Sequence, residues 1–448
     1  MFVALCSIYN DSPGGMTLLD KPVFKIGMLG LGTVGSEVAR RLEEKADFIT
    51  KRTGAKLELK RVLVRNLAKP RAYSCQPGVI TTDPYSVVDD PDIDIVIEVM
   101  GGYEPARSLI ERAIMHKKHV VTANKLVMAR SGYELLRLAE QNNVDIYLEA
   151  AVGGGIPLIS TFRIDLLANE IQSITAVING TTNYILSRMV NNDLTMDQAL
   201  KEAQEQGYAE ADPSSDIDGH DAVYKLAIMS SIAFGIKVQP DQIFREGIRH
   251  VEKEDLKYAR DLGHEIKLVA MAKKRNNSVE MRVHPALIPL DNPLAQVQGI
   301  HNAVFIQGDL VGEVWLSGPG AGGRPTASAV VGDVIDLVHS LKKNVVNRIP
   351  VEFDDALSLM PHSEITTKSY FRIIADDAPG VLASIAKVFA QEHISIASMI
   401  QRSSNAHDQS AELLFMMHPA KEHNLQRGLE MLKHLECVRK VCSFYRVL

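Results

Sequence analysis

The sequence predicts an α/β protein with three folded domains: a parallel-sheet domain at 23–150, an α+β domain with an open sheet at 151–320, and a ferredoxin-like domain at 369–448. Three observations support this prediction. Strand-like and helix-like segments alternate in the first third of the chain, which is typical of βαβ units. Strands and helices are mixed after a glycine triplet at 153–155, and the C-terminal segment shows a βαββαβ order. The length of 448 residues is enough for about three domains of ordinary size.

Apolar runs and helical spacing locate the elements of the first domain. Strands are predicted at Phe24–Leu29, Leu57–Val64, Ile93–Val99, His119–Thr122 and Asp145–Leu148, and helices at Val34–Leu42, Glu104–His116 and Tyr133–Asn142. A later helix, predicted at Thr326–Leu341, is placed to return to this domain. We therefore expect residues near 325–343 to complete it.

The second and third domains combine both kinds of element. In the second, strands are expected at Ser173–Ile178, His264–Ala272, Val279–His284, Ala303–Ile306 and Glu313–Leu316, and helices at Tyr184–Val190, Met196–Gln206 and Ala222–Ala233. Residues 344–368 have an irregular pattern and are predicted to be a linker. In the third, strands are expected at Tyr370–Ala375, Ile394–Ile400, Ser410–Met417 and Val438–Val447, and helices at Leu382–Glu392 and His423–Leu435.

Composition and charge exclude several functional classes. The chain has 49 Lys and Arg against 55 Asp and Glu, a net charge of 49 − 55 = −6, and no basic block favours nucleic acid or an anionic membrane surface. No apolar run approaches the roughly 18 residues that a membrane-spanning helix needs. The cysteines form neither a disulfide framework nor a zinc motif, which favours reduced thiols in a cytoplasmic protein; they are Cys6, Cys75, Cys437 and Cys442. Residues 1–22 are predicted to be an N-terminal extension.

A glycine-rich loop indicates that the first domain binds a dinucleotide. The loop reads Gly30-Leu31-Gly32-Thr33-Val34-Gly35, follows an apolar strand and opens an apolar helix. In a Rossmann-type fold the first glycine permits a tight turn, the second lets the backbone approach the pyrophosphate, and the third lets helix and strand pack closely. The diphosphate then lies at the helix N-terminus. The alternative is a tight turn without a ligand.

Two residues at strand ends bear on the cofactor. An NAD site usually has Asp or Glu at the end of the second strand, whereas this chain reads Val64-Arg65-Asn66. Arg65 suits a 2′-phosphate, so NADP(H) is favoured, although Arg65 could also be an ordinary solvated charge. Lys125 follows the strand at His119–Thr122 and is predicted to lie on the nicotinamide side, unless it is simply exposed.

The densest polar stretch of the sequence runs from Gly207 to Lys225. If the chain is helical from Gly219 onward, Asp221 and Lys225 share a face and can pair. One interpretation is a solvated helix start; another is a calcium loop, although the spacing and terminal Glu of an EF-hand are missing. The functional interpretation is a site for a zwitterionic amino acid, in which Glu210 and Asp221 attract the ammonium group. Lys225 would then exchange a proton with a substrate oxygen during hydride transfer.

These residues resemble the homoserine dehydrogenase family. The matching motifs extend over nearly the whole chain: Gly30–Gly35, Thr122–Lys125, Glu149–Pro157, Asn179–Tyr184, Gly207–Lys225 and Gly320–Gly322. The resemblance implies reversible, NAD(P)H-dependent reduction of L-aspartate 4-semialdehyde to L-homoserine, a step towards threonine, methionine and isoleucine. It also implies that the middle domain binds substrate and mediates dimerisation.

The resemblance implies roles for individual residues. Lys225 is expected to be the proton donor, with Lys125 close to the reacting groups, and Glu210 and Asp221 are expected to bind substrate. Gly207 and Gly322 are expected to contact the cofactor. A sodium-type cation is expected on carbonyl oxygens around Glu149, Val152, Gly154 and Ile156, which suits the preference of hard cations for oxygen. For Gly153 and Gly323 a turn requirement without ligand contact is the alternative.

Residues 369–448 resemble an ACT domain, a regulatory module that typically binds amino acids. The match lies in Asp376-Asp377-Ala378-Pro379-Gly380-Val381-Leu382 and in the order of strands and helices. It implies feedback inhibition with threonine as the effector, although the module could instead serve only to dimerise the chain. The enzyme is expected to be a homodimer or homotetramer. Two other functions stay open: a non-catalytic NADP(H) sensor, and a dehydrogenase of another amino-acid aldehyde or hydroxy acid.

Overall fold

The computed structural model describes residues 22–405 and 409–448, so residues 1–21 of the predicted N-terminal extension lie outside it. In the first domain, the strands are β1 (Val23–Leu29), β2 (Lys56–Leu63), β3 (Ile80–Thr81), β4 (Ile95–Glu98), β5 (His119–Thr122) and β6 (Ile146–Tyr147). The helices are α1 (Thr33–Glu44), α2 (Ala46–Thr53), α3 (Tyr85–Val88), α4 (Ala106–Met115) and α5 (Lys125–Asn142).

The strands of this first domain form a parallel sheet in the order β3-β2-β1-β4-β5-β6. The strand order reverses between β1 and β4, which opens a crevice at their carboxyl ends where dinucleotides bind. Side chains alternate between the two faces of β1, so Phe24, Ile26 and Met28 enter one core and Leu29 the other. The predicted parallel-sheet domain is confirmed.

The second domain is built on a largely antiparallel sheet with helices on one face. Its strands are β7 (Ile171–Val177), β8 (Phe244–Arg245), β9 (His264–Arg275), β10 (Ser278–Pro289), β11 (His301–Gly308) and β12 (Gly312–Pro319). Its helices are α6 (Gly180–Asn192), α7 (Met196–Glu205), α8 (Ser214–Ile217), α9 (His220–Phe234) and α10 (Lys253–Asp261). The antiparallel pairs β7·β9, β9·β10, β7·β11 and β11·β12 hold the sheet together.

A long helix then returns to the first domain. Helix α11 (Gly323–Lys342) buries Val330, Val334 and Leu337 in the same core as the β1 side chains, and it packs along α1. Its apolar positions recur at helical spacing, which is why the sequence predicts it. The chain therefore crosses between the two domains twice, once on each side of the second domain.

The third domain has the ferredoxin-like order expected of it. The chain continues through β13 (Ser358–Leu359), β14 (Thr366–Asp376), α12 (Val381–Gln391), β15 (Ile396–Asn405), β16 (Ser410–Lys421), α13 (Glu422–Lys433) and β17 (Val438–Val447). The strands lie in the order β17-β14-β16-β15, and their pairs are antiparallel. The segment 344–368, predicted as a linker, contains β13, which pairs with β10, and the beginning of β14.

The second and third domains share one continuous sheet, which the sequence does not predict. Strand β17 runs parallel to β10, with Ala286 opposite Arg446 and Leu287 opposite Val447. Polar contacts reinforce this junction: the buried Asp255 carboxylate of α10 accepts hydrogen bonds from Arg372 Nε at 2.7 Å and from Tyr445 Oη at 2.9 Å.

Among the residues described, no helix has the length and apolar character needed to cross a membrane.

Candidate active site

The glycine-rich loop between β1 and α1 has the geometry that a pyrophosphate needs. Gly30 has a φ of +106°, which side-chain-bearing residues rarely adopt. A Cβ on Gly35 would lie 2.3 Å from the Gly30 carbonyl oxygen, whereas a Cβ on Gly32 would meet nothing within 4 Å. Helix α1 begins without a side-chain cap, which leaves N–H groups of its first turn available to an anion. Leu31 is buried, and Thr33 and Val34 form the first helical turn.

Arg65 follows the end of β2, which lies beside the glycine-rich loop. The Gly30 N–H donates to the Leu63 carbonyl at 3.0 Å, so the end of β2 lies beside the glycine-rich loop. Arg65 follows two residues later and is exposed. The next turn is held by Arg71, whose guanidinium donates to the carbonyls of Asn66 and Lys69. The strand end thus carries an exposed guanidinium at the position where NAD sites usually carry a carboxylate.

The carboxylate of Asp221 is the centre of a charged cluster between the first and second domains. Asp221 lies in the first turn of α9 and is 2% exposed. Its Oδ2 is 2.8 Å from Lys225 Nζ, one helical turn further along the same face, and accepts from Asn179 Nδ2 at 2.8 Å. Its Oδ1 pairs with Lys125 Nζ, which comes from the N-terminus of α5 in the first domain. One carboxylate therefore joins two lysines from different domains.

Lys225 is held in a defined direction. Its Nζ donates to the Ile178 carbonyl at 2.8 Å in addition to its pairing with Asp221. Asn302 Nδ2 donates to the same carbonyl, also at 2.8 Å. An ammonium group has three N–H donors. Among the contacts of the described residues, the third donor of Lys225 has no acceptor, so it is available to a substrate oxygen.

The charges of the cluster shift one another's pKa values. Burial alone would raise the pKa of Asp221, but the ammonium groups of Lys225 and Lys125 outweigh burial and hold it well below its usual range. For Lys125, burial opposes protonation, yet the negative charge of Asp221 raises its pKa, with smaller contributions from Asp216 and Glu210. Both groups are therefore charged at neutral pH.

Three other residues predicted for the site, Glu210, Gly207 and Gly322, lie outside this hydrogen-bonded cluster. Glu210 is exposed in the loop after α7 and acts on Lys125 through its charge. Gly207 has a φ of +74° and lies just after α7, where its N–H donates to the Gln204 carbonyl. Gly322 has a φ of +115° and directly precedes α11; a Cβ on Gly323, the first residue of that helix, would lie 3.0 Å from Thr33 Cγ2. The start of α11 thus faces the glycine-rich loop.

Asp216 is a site residue that the sequence analysis did not single out. It lies in α8, accepts from Asn179 Nδ2 at 2.7 Å, and so shares that amide with Asp221. Burial and the neighbouring charge of Asp221 raise its pKa. The stretch Gly207–Lys225 contains five carboxylates, and spacing alone did not distinguish this one from its solvated neighbours.

Glu98 is a second site residue that the sequence analysis did not single out. It ends β4, is 0% exposed, and its carboxylate accepts from Thr122 Oγ1 at 2.7 Å and from the Met100 N–H at 2.8 Å. Burial raises its pKa despite these hydrogen bonds. A Glu at the end of the run Ile95–Ile97 is the one clue that the sequence offers.

The turn expected to hold a cation is tightly folded. Gly153 and Gly154 have φ values of +75° and +57°, and a Cβ on Gly154 would lie 2.7 Å from the Gly320 backbone. The side chain of Glu149 accepts from three backbone N–H groups at 2.6–2.9 Å, those of Leu158, Ile159 and Ser160. Over residues 22–405 and 409–448, no hydrogen bond reaches the carbonyl oxygens of Val152, Gly154 and Ile156. In the same ranges, no group of three or more His, Cys, Asp or Glu could hold a metal.

Comparisons with known proteins agree on one family. Two family models described as homoserine dehydrogenase match: the NAD-binding domain at residues 30–149 and a second domain at 157–335. An ACT domain model matches residues 369–436. A homoserine dehydrogenase of Synechocystis sp. is 44% identical over 436 residues, which covers 95% of this chain and 99% of that protein.

Solved structures give the same result. The crystal structure of a homoserine dehydrogenase from Thiobacillus denitrificans has a TM-score of 0.90 and 41% identity, and the match covers 95% of this chain and 98% of that one. A hyperthermophilic archaeal homoserine dehydrogenase in complex with NADPH has a TM-score of 0.60 and 32% identity, over 70% of this chain and 97% of that one.

Proposed function

The chain belongs to the homoserine dehydrogenase family, and on that basis we propose that it catalyses the reversible NADPH-dependent reduction of L-aspartate 4-semialdehyde to L-homoserine. The observation that carries this proposal is the pairing of Asp221 with Lys225 and Lys125. These residues come from the two domains that border the crevice at the carboxyl ends of the parallel strands. A proton donor and a cofactor loop are thereby brought to one crevice.

Lys225 is the proposed proton donor. When bound, NADPH supplies the hydride that forms the new C–H bond at C4 of the substrate. The aldehyde oxygen gains electron density as the carbonyl π bond breaks, and Lys225 stabilises that charge and delivers the proton that completes the alcohol. Asp221 and the Ile178 carbonyl fix the Lys225 ammonium, so its remaining N–H points in one direction. Lys125 adds a second positive charge near the same oxygen.

Glu210 and Asp221 are proposed to recognise the amino group of the substrate. Asp221 already pairs with two lysines, so we expect the incoming ammonium to meet the exposed Glu210 first and to share Asp221 Oδ1 with Lys125. Asp216 adds a third carboxylate on the same side through Asn179. Carboxylates on one side and lysines on the other would orient the amino acid so that only C4 meets the hydride.

The proposed cofactor preference is for NADP(H) over NAD(H). Its support is the exposed Arg65 beside the glycine-rich loop, because a guanidinium binds phosphate through paired hydrogen bonds. The archaeal relative was solved with NADPH, which is a property of that protein. The glycine-rich loop, Gly207 and Gly322 are proposed to contact the rest of the dinucleotide.

A monovalent cation, sodium in kind, is proposed at the carbonyls of Glu149, Val152, Gly154 and Ile156. Three of these oxygens lack hydrogen bonds among the described residues, and a hard cation would satisfy them. The cation would stabilise the turn that joins β6 to the second domain. These residues would supply only backbone oxygens, since the Glu149 side chain is occupied by three N–H groups.

The third domain is proposed to bind an amino-acid effector, with threonine as the candidate for feedback inhibition. Its support is the ACT match and the junction with the second domain. A homodimer or homotetramer and a cytoplasmic location stay predictions from the sequence. If the domain serves only for dimerisation, threonine should leave the rate unchanged.

A steady-state assay tests the proposal. We expect NADPH oxidation with L-aspartate 4-semialdehyde, weaker activity with NADH, and inhibition by threonine. A protein that binds NADPH but does not oxidise it with this substrate would favour a sensor. Faster turnover of another aldehyde in a substrate panel would indicate a different dehydrogenase.

A further inference from the structure

The unexplained feature of the site is the buried Glu98. Its side chain is fully buried at the end of β4, and no Lys, Arg or His nitrogen lies within 4.0 Å of it in the part of the chain that the structure describes. A buried carboxylate without a cation is costly, and its cost is reduced only when donors surround it. A buried carboxylate without an ion-pair partner at the carboxyl end of a central strand therefore needs a structural or functional explanation.

The contacts of Glu98 join two loops. Oε1 accepts from the Met100 N–H at 2.8 Å, in the loop after β4. Oε2 accepts from Thr122 Oγ1 at 2.7 Å, at the end of β5, and Oε1 also accepts a longer bond from Asn124 Nδ2 at 3.4 Å, in the segment that follows β5. The same Asn124 amide donates to the Gly102 carbonyl at 2.8 Å, so Asn124 is bonded both to Glu98 and to the loop after β4.

These contacts determine where α5 begins. The Asn124 side chain accepts from the Val127 N–H at 3.1 Å and caps the helix. The first residue of that helix is Lys125, whose ammonium pairs with Asp221. The position of Lys125 thus depends on Asn124, which depends in turn on Glu98.

We infer that Glu98 is a positioning residue, which fixes the loops after β4 and β5 relative to each other and so holds Lys125 opposite Asp221. This inference rests on the proposed function. A carboxylate suits the task because its two oxygens accept from several donors at once. A Gln would keep one oxygen and would turn an N–H₂ group towards one of the donors.

The test compares Glu98→Gln with Glu280→Gln. Glu280 is also buried on a strand, bonds Arg282 and lies outside the site, so it controls for loss of any buried carboxylate. We expect Glu98→Gln to lower kcat per NADPH-binding site by about 10-fold or more, because small misplacements of reacting groups cost that much. The Kd for NADPH, measured by fluorescence, should change by less than about 3-fold, since the phosphate contacts lie elsewhere. Glu280→Gln should retain the wild-type kcat.

A double variant separates positioning from a general structural role. If Glu98 acts through Lys125, then Glu98→Gln should cause no further loss of kcat in a Lys125→Ala background. Equal losses with and without Lys125 would overturn the inference, as would a wild-type kcat in Glu98→Gln. If Glu98→Gln does not fold, Thr122→Val removes one donor and carries the same test. A wild-type chain without dehydrogenase activity would overturn the proposed function and this inference with it, whereas an active wild type isolates the inference.

Discussion

Replacing Asp221 by Asn removes one negative charge from between two lysines while it keeps the shape of the side chain. The negative charge of Asp221 raises the pKa of Lys125, so its loss should lower that pKa. A group whose pKa is raised stays protonated to higher pH, and the proposed reduction needs protonated lysines. The alkaline limb of the pH–rate profile should therefore move to lower pH in Asp221→Asn.

The structure sets the size of this shift. An opposite charge within about 4–6 Å shifts a pKa by about 1–3 units. The Lys125 side chain is 42% exposed, and water screens its interaction with Asp221, so the lower end of that range applies. We expect the limb to move by about 1 pH unit, together with a fall in kcat at neutral pH of about 10²-fold from lost positioning.

The assay is NADPH oxidation with L-aspartate 4-semialdehyde from pH 6 to pH 11, in buffers of constant ionic strength. Asp193→Asn is the matched control, because Asp193 is an exposed carboxylate paired with Lys253 at 3.3 Å on the surface. Its profile should coincide with that of the wild type. An alkaline limb that stays in place in Asp221→Asn would refute the electrostatic coupling of Asp221 to the lysine.

Three further substitutions, one of them with a control variant, test other parts of the site. Lys225→Ala should lower kcat by about 10²–10⁴-fold with NADPH binding intact, and near-normal turnover would remove Lys225 from the role of proton donor. Arg65→Ala should raise KM for NADPH by about 10-fold or more and leave KM for NADH unchanged, because only NADPH carries the 2′-phosphate; equal effects on both cofactors would contradict the assignment. Gly35→Ala should abolish NADPH binding and lower Tm, because its Cβ would lie 2.3 Å from the Gly30 carbonyl oxygen. The control is Gly332→Ala in α11, where a Cβ would meet nothing within 4 Å. It should leave NADPH binding intact and raise the free energy of unfolding by about 0.5–1 kcal/mol. If Gly35→Ala and Gly332→Ala behave alike in calorimetry and in NADPH binding, the steric argument for Gly35 is wrong.

Local signals made much of this site predictable. The glycine-rich loop depends on residues within one turn, and the pairing of Asp221 with Lys225 depends only on their four-residue spacing in α9. The pairing of Asp221 with Lys125 spans 96 positions and two domains, so no local pattern contains it. Glu98 gives no local signal for the same reason, since its side-chain donors Thr122 and Asn124 become neighbours only when β4 and β5 pair.

Departures from the predicted elements have physical causes. Helix α10, Lys253–Asp261, was missed because it is strongly polar, and its few apolar residues pack against neighbouring elements. The strand predicted at Val279–His284 continues to Pro289 in β10, past Pro285, a residue that cannot donate to a ladder. In the structure Pro285 lies between two partners on one edge of β10: the pairing with β8 reaches Val283 and that with β17 begins at Ala286.

The sheet shared by the second and third domains connects the third domain to the strand that leads into the candidate active site. In this sheet β17 borders β10, β10 borders β9, and β9 borders β7. Strand β7 leads directly into Ile178 and Asn179, which hold Lys225 and Asp221. A chain that ended before β14 would leave an open edge on β10 and the buried Asp255 without Arg372. The third domain therefore covers part of the β10 edge and supplies the partners of a buried carboxylate, and we expect its removal to destabilise the second domain.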